Sequence, residues 1–166
     1  MAAEQTPRPA ADRTQHLRLT VQIEESRLDL LHAMVVAEPL DPPRRTVGNW
    51  LYEWRENGET VWWDTMQDPL RQRAIARPKE FEHSFGVLRR GDFTVRVPVS
   101  AQSAARTIGL RVYRSATALP PDPAAVRRLL TGAGAQRLEL VATLDDVAFK
   151  RSPQWREVEA ALGIRR

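Results

Sequence analysis

The sequence has no cysteine, which excludes disulfide bonds and thiolate metal sites. It has only two lysines, Lys79 and Lys150, and every other cation is arginine. With so much Ala and Pro, that composition reads as a GC-rich coding bias rather than as a selected basic surface. No apolar run is long enough to span a bilayer. The three histidines, His16, His32 and His83, are far apart and show no metal-ligand spacing, and no His-Glu-x-x-His segment occurs. His83 shares a strand face with Phe81 and Phe85 and reads as a core histidine. Neither a metal nor a cofactor is therefore expected. A Gly-x-Ser-x-Gly elbow and a phosphate loop are also lacking. The run from Thr131 to Arg137 holds two glycines of a dinucleotide fingerprint, without the third and after a helix instead of a strand. Met1 to Gln15 lacks the apolar segment of a secretory signal. A cytoplasmic location is expected, or a secreted one if a leader has been removed.

What is present suits a single β-rich domain. The chain has 166 residues, with 12 prolines and 8 glycines to supply turns. Residues 1–15 read as a flexible arm, and residues 16–166 as one domain with an α/β tail from about 120. Charge is unevenly spread. Residues 1–83 carry 11 Lys/Arg and 14 Asp/Glu, whereas residues 84–166 carry 14 and 7. The second half is thus the basic one.

The hairpin signal is the strongest local pattern. Asn57-Gly58 suits a two-residue turn needing positive φ at both central positions. Aromatic and β-branched residues flank it, and four of the five tryptophans lie between Trp50 and Trp63. Trp50, Tyr52 and Trp54 share one strand face, opposite Leu51, Glu53 and Arg55. Alternation marks further strands at Leu17–Ile23, Phe81–Val87, Phe93–Val97, Ile108–Val112 and Leu138–Ala142. Leu28–Val36 is a longer apolar run, strand or short helix, read here as a strand ended by Glu38-Pro39. Arg90-Gly91-Asp92 reads as a turn between strands, and its match to the tripeptide that integrins bind reads as chance. Asp122-Pro123 begins a short helix through Leu130, and Ser152-Pro153 begins a final one through Leu162 with Gly163 at its end. Short strands at this spacing suggest an immunoglobulin-like antiparallel β-sandwich of seven to nine strands, with a small C-terminal helix-strand-helix segment.

The candidate binding residues follow from two features. Trp62 and Trp63 are adjacent and so face opposite ways. Either both sheet faces are covered, with Trp62 under the C-terminal helix against Trp155 or Leu162, or Trp50 or Trp62 is a flat platform for a sugar ring. The favoured reading is the covered one. Arg71, Arg73, Arg77 and Lys79, with Arg89 and Arg90, form a candidate basic patch. A nucleic-acid surface would want exposed aromatics among those cations, and the aromatics fit a sheet interior better. Asp145-Asp146 reads as a pair of solvated acids in a turn.

Residues 17–114 resemble the N-terminal β-sandwich domain that accompanies bacterial metallopeptidases of the immunoglobulin-A-cleaving kind. The resemblance lies in the first strand, the Trp-x-Tyr-x-Trp strand leading through Asn57-Gly58 into Val61-Trp62-Trp63, the Phe81 to Phe85 segment, and Phe93 to Pro98. It implies a non-catalytic accessory sandwich and carries over no catalytic residue, since the peptidase domain with its zinc motif is absent. The expected function is a non-enzymatic module that engages a protein partner through a sheet edge or loop surface. A carbohydrate-binding module using the hairpin tryptophans is the first alternative, and a basic nucleic-acid-associated protein the second.

Overall fold

The computed structural model describes residues 14–40, 48–71, 88–99, 107–133 and 136–163. Seven strands and three helices follow in chain order. They are β1 (His16–Glu24), β2 (Arg27–Val36), β3 (Trp50–Glu56), β4 (Glu59–Met66), β5 (Arg90–Pro98), β6 (Ile108–Ser115), α1 (Pro123–Leu130), β7 (Leu138–Leu144), α2 (Asp146–Arg151) and α3 (Pro153–Ala161).

The expected mainly-β fold with small C-terminal helices is present, but hydrogen bonding does not divide the strands into two sheets. All seven join one sheet in the order β4-β3-β6-β7-β2-β1-β5, nearly closed into a barrel. Five of its six pairings are antiparallel. β2 and β7 run parallel and meet only at Arg27 and Thr143. A sheet that curls until its edges approach places every inward side chain in one core, which two flat layers would otherwise provide between them.

That core takes alternate residues from each strand. Leu17, Leu19, Val21 and Ile23 of β1 point inward with Val95 and Val97 of β5 and Leu110 and Val112 of β6, all buried. Phe93 packs against the same cluster. Trp50, Tyr52 and Trp54 of β3 share this inward face, as their spacing implied. The turn chemistry also holds. Asn57 and Gly58 both have positive φ, 52° and 81°, so the hairpin closes with the twist its strands require. Beyond the turn, β4 carries one extra residue. Trp54 faces Trp62 while the next residue, Arg55, faces Thr60, which makes Val61 a β-bulge.

The ring is completed by two different devices. Where β7 and β2 barely touch, α3 packs on β2 and α2 on β6. These helices add Phe149, Trp155 and Val158 to the core. The Phe149 ring stands edge-on to Trp54 at 5.5 Å, and Trp155 lies 6.3 Å from Trp54. Trp54 thus meets the rings of both C-terminal helices, and Trp62 packs against the same core cluster. At the other end of the sheet, β4 and β5 come close without pairing. There the Tyr52 hydroxyl donates to the Arg96 carbonyl at 3.0 Å and accepts from the Arg96 N–H at 3.3 Å. One side chain thus satisfies two backbone groups on the free edge of β5, which would otherwise lack ladder partners.

Three local expectations change. Arg90-Gly91-Asp92 is the start of β5 and not a turn. Gly91 is needed because a Cβ there would lie 1.9 Å from the Pro69 carbonyl oxygen, and Asp92 accepts a hydrogen bond from Gln22 of β1. Asp145 and Asp146 are structural. Asp145 caps α2 by accepting from the Ala148 N–H, while Asp146 accepts from the Ile108 N–H and pairs with Lys150 at 2.7 Å. Helix α2 itself had no sequence expectation. Asp122 does cap α1, accepting from the Ala124 N–H. Ser152 sits at the N-cap of α3 but makes no capping bond with its side chain. The Phe81–Val87 strand and the N-terminal arm to residue 13 lie outside the described residues.

Candidate functional site

The two outward faces of the barrel differ. On β4, β3 and β6 the outward positions are covered by α1. Leu51 is fully buried, and with Leu119, Val126 and Leu129 it forms a second apolar cluster, flanked by Trp63, Tyr113, Leu130 and Leu138. The two adjacent tryptophans are therefore both engaged, Trp62 against the barrel core and Trp63 under α1.

Glu53 lies in this covered face with 1% exposure. Its carboxylate accepts from the Tyr113 hydroxyl at 2.8 Å and from the Thr60 hydroxyl, and lies 3.4 Å from the Arg55 guanidinium. Burial pushes the Tyr113 phenol up from its ordinary value, and its bond to Glu53 adds to the shift. A carboxylate supplied with three donors is a satisfied buried charge, and this cluster holds β3, β4 and β6 together.

Near the free edge of β4, Asp64 is half-buried opposite Tyr52. Desolvation raises its pKa above 3.8, and the Thr65 N–H that it accepts opposes the shift. Burial also raises the Tyr52 phenol strongly, with the Asp64 charge adding to it. A pocket of about 440 Å³ opens beside the end of β6 and the start of β7, lined by Asn49, Arg114, Ser115, Arg137 and Glu139 among others. Arg114 is already committed there. It pairs with Glu139 at 2.6 Å and lies over the Trp50 ring at 5.8 Å.

Among the described residues, nothing covers the other outward face, on β2, β1 and β5, and it is called the bare face below. Arg18, Thr94, Arg96, His32 and Met34 are all exposed. Arg18 lies directly across from Arg96 on one side and from Met34 on the other. The next row is His32, Thr20 and Thr94. Because both backbone groups of Arg96 turn to Tyr52, away from β1, Arg18 and Arg96 form a non-hydrogen-bonded pair. That geometry brings facing side chains closest, and like charges so placed repel. Among the described residues, no acidic side chain lies within ion-pair distance of either arginine.

The sequence-derived candidates scatter over this framework. Trp50 is buried in the core with 1% exposure, so its ring offers no face to a ligand. Trp62 is partly buried against the same core. Arg71, Arg89 and Arg90 are exposed, Arg90 at the start of β5 opposite Glu24. Arg73 and Arg77 lie outside the described residues. The pair that does converge, Arg18 and Arg96, had no sequence signal beyond two polar positions in alternating strands. Among the described residues, no group of three or more His, Asp or Glu is placed to hold a metal ion, and no helix is long and apolar enough to cross a membrane.

No family model matches this chain, and comparison with curated proteins and with solved structures gives no significant similarity.

Proposed function

We propose that this protein is a non-enzymatic binding module that engages a protein partner through the bare face of β2, β1 and β5. One observation carries the reading. The same barrel covers the outward face of β4, β3 and β6 with α1, yet no described residue covers the other side, where three long neighbouring strands lie. A broad, rigid and mostly polar sheet face with an exposed Met34 suits docking better than chemistry. The charged clusters elsewhere are internally satisfied, as at Glu53, and serve packing.

The relation to peptidase-associated β-sandwich domains belongs to this proposal as well. It is supported by strand rhythm and by the Trp-x-Tyr-x-Trp strand, and it fits an accessory role. Against the carbohydrate alternative, Trp50 and Trp62 give their faces to the core. Against the nucleic-acid alternative, the described residues of the bare face include no Phe, Tyr or Trp that is exposed among its cations.

The test is site-specific photo-cross-linking in cells that express the full chain. A photoreactive residue replaces Thr94 on the bare face or Arg127 on the outside of α1. A discrete protein adduct at Thr94 and none at Arg127 is expected. Absence of any adduct at Thr94, or equal adducts at both positions, refutes the assignment of this face.

A further inference from the structure

We propose that the docking face recognises an acidic polypeptide segment, whose carboxylates are clamped between Arg18 and Arg96. The proposal rests on the binding-module reading above and adds the chemistry of the partner. Arg18 and Arg96 are direct cross-strand partners on β1 and β5, in the pairing geometry that brings side chains closest. Such a pair lowers the stability of the sheet unless something anionic sits between its members. The described residues provide no such anion. Thr20 and Thr94, in the adjoining row, add hydroxyl donors beside the arginines, and His32 extends the row on β2. Guanidinium groups bind carboxylates through paired charge-assisted hydrogen bonds, so two of them side by side suit successive acidic residues of an extended chain.

The surroundings set the direction of the chain. Towards the Glu24 end of β1 the charges nearly balance: Asp29 and Asp92 flank Gln22, Asp29 pairs with Arg27 at 2.8 Å, and Glu24 lies between Arg27 and Arg90. That end offers no excess of positive charge comparable to the Arg18 row. A nucleic acid draws its affinity from cations spread along a longer track, whereas the excess of positive charge here is confined to one row. A short acidic segment can lie across the strands at the Arg18 row alone. This confinement, and the lack of an exposed Phe, Tyr or Trp among the described residues of the face, favours the peptide.

The experiment measures fluorescence anisotropy of a labelled oligo-glutamate peptide titrated with the full chain. Arg18→Glu is the main variant, and Arg156→Glu, an exposed change of equal charge on α3, is the control. The unaltered chain binds the peptide, with affinity that falls as salt rises. Arg18→Glu and Arg96→Gln each weaken binding by about tenfold or more, and Arg156→Glu leaves it within about twofold. Arg18→Glu also raises the melting temperature, because a repelling pair becomes an attracting one, so loss of binding does not stem from loss of fold. No binding by the unaltered chain overturns the proposal, as does equal weakening by Arg156→Glu. Tighter binding of a single-stranded oligonucleotide than of the peptide, lost in the same two variants, overturns it in favour of nucleic acid. A Thr94 adduct that persists in Arg18→Glu retains the module reading and removes the acidic partner. Absence of the adduct while peptide binding persists does the reverse.

Discussion

The two outward faces of this barrel are built from the same kind of strand and meet opposite fates. On β3 every second residue enters the core, yet the residues between them, Leu51 and Glu53, are buried as well. On β1 the residues between the core positions, Arg18, Thr20 and Gln22, reach solvent fully or in part. An antiparallel strand covered on one side alternates cleanly, and one covered on both sides does not. α1 makes the difference. Its Val126 and Leu129 meet Leu51 and bring Trp63 and Tyr113 under cover. The lesson is that the covered face is committed to stability, with even its charged group satisfied, and the bare face remains free for a partner.

Substitutions can break this contrast, and the largest effect is expected in the core that both faces share. Trp54→Ala should destabilise the fold by about 3–5 kcal/mol, because it removes the ring that meets Phe149 and Trp155. Chemical denaturation followed by circular dichroism measures it, and a loss below about 1 kcal/mol would refute the packing. On the covered face, Glu53→Ala should cost about 2–3 kcal/mol, since the Tyr113 and Thr60 hydroxyls and Arg55 lose their common acceptor. If Glu53→Ala is neutral in the same assay, the face is open to water.

Closure of the ring gives a smaller expected effect. Tyr52→Phe removes the one group that satisfies both backbone atoms of Arg96, and should cost about 1–2 kcal/mol. Hydrogen exchange at the Arg96 amide should quicken in that variant, and unchanged protection would show that β4 and β5 close without the hydroxyl.

Asp64 offers a pH test of the same edge. Its folded pKa lies above the unfolded value, so the fold binds the proton more tightly and the ionised carboxylate opposes folding. The stabilising effect of protonation is full below the unfolded pKa and disappears as pH rises through the folded one. Asp64→Asn should therefore melt at a higher temperature than the parent near neutrality, with the gap closing as pH falls through the raised folded pKa and gone below the unfolded value of 3.8. A gap independent of pH would exclude this origin.

The smallest effect belongs to the bare face. Thr94→Ala should change stability by no more than about 0.5 kcal/mol, as expected of an exposed side chain with no structural role. A cost as large as that of Glu53→Ala would mean that the two outward faces are equally covered, and the contrast would fail.

Much of the local structure was legible in the chain. The turn at Asn57-Gly58, the inward set Trp50, Tyr52 and Trp54, the core side of β5 and the Asp122 cap of α1 all depend on residues within a few positions of one another. Helix α2 was not legible. It has six residues, and its cap, Asp145, looks the same in sequence as a solvated acid. The start of β5 at Arg90 was hidden because Gly91 signals a turn, whereas its actual role is to admit the Pro69 carbonyl. Of the candidate site, Arg90 was legible as an exposed cation and the Arg18–Arg96 pair was not.

The sequence by itself determined most of the strand positions, the Asn57-Gly58 turn, the starts of α1 and α3 and which side chains of each strand are apolar, because these follow from short-range sterics and from a period of two. Only the tertiary structure decided that the seven strands form one curled sheet, that Tyr52 reaches the edge of β5, that α1 covers one outward face and that Arg18 confronts Arg96. Those outcomes depend on register between strands distant in sequence. Register is set by the fit of the whole core, and no local pattern contains it.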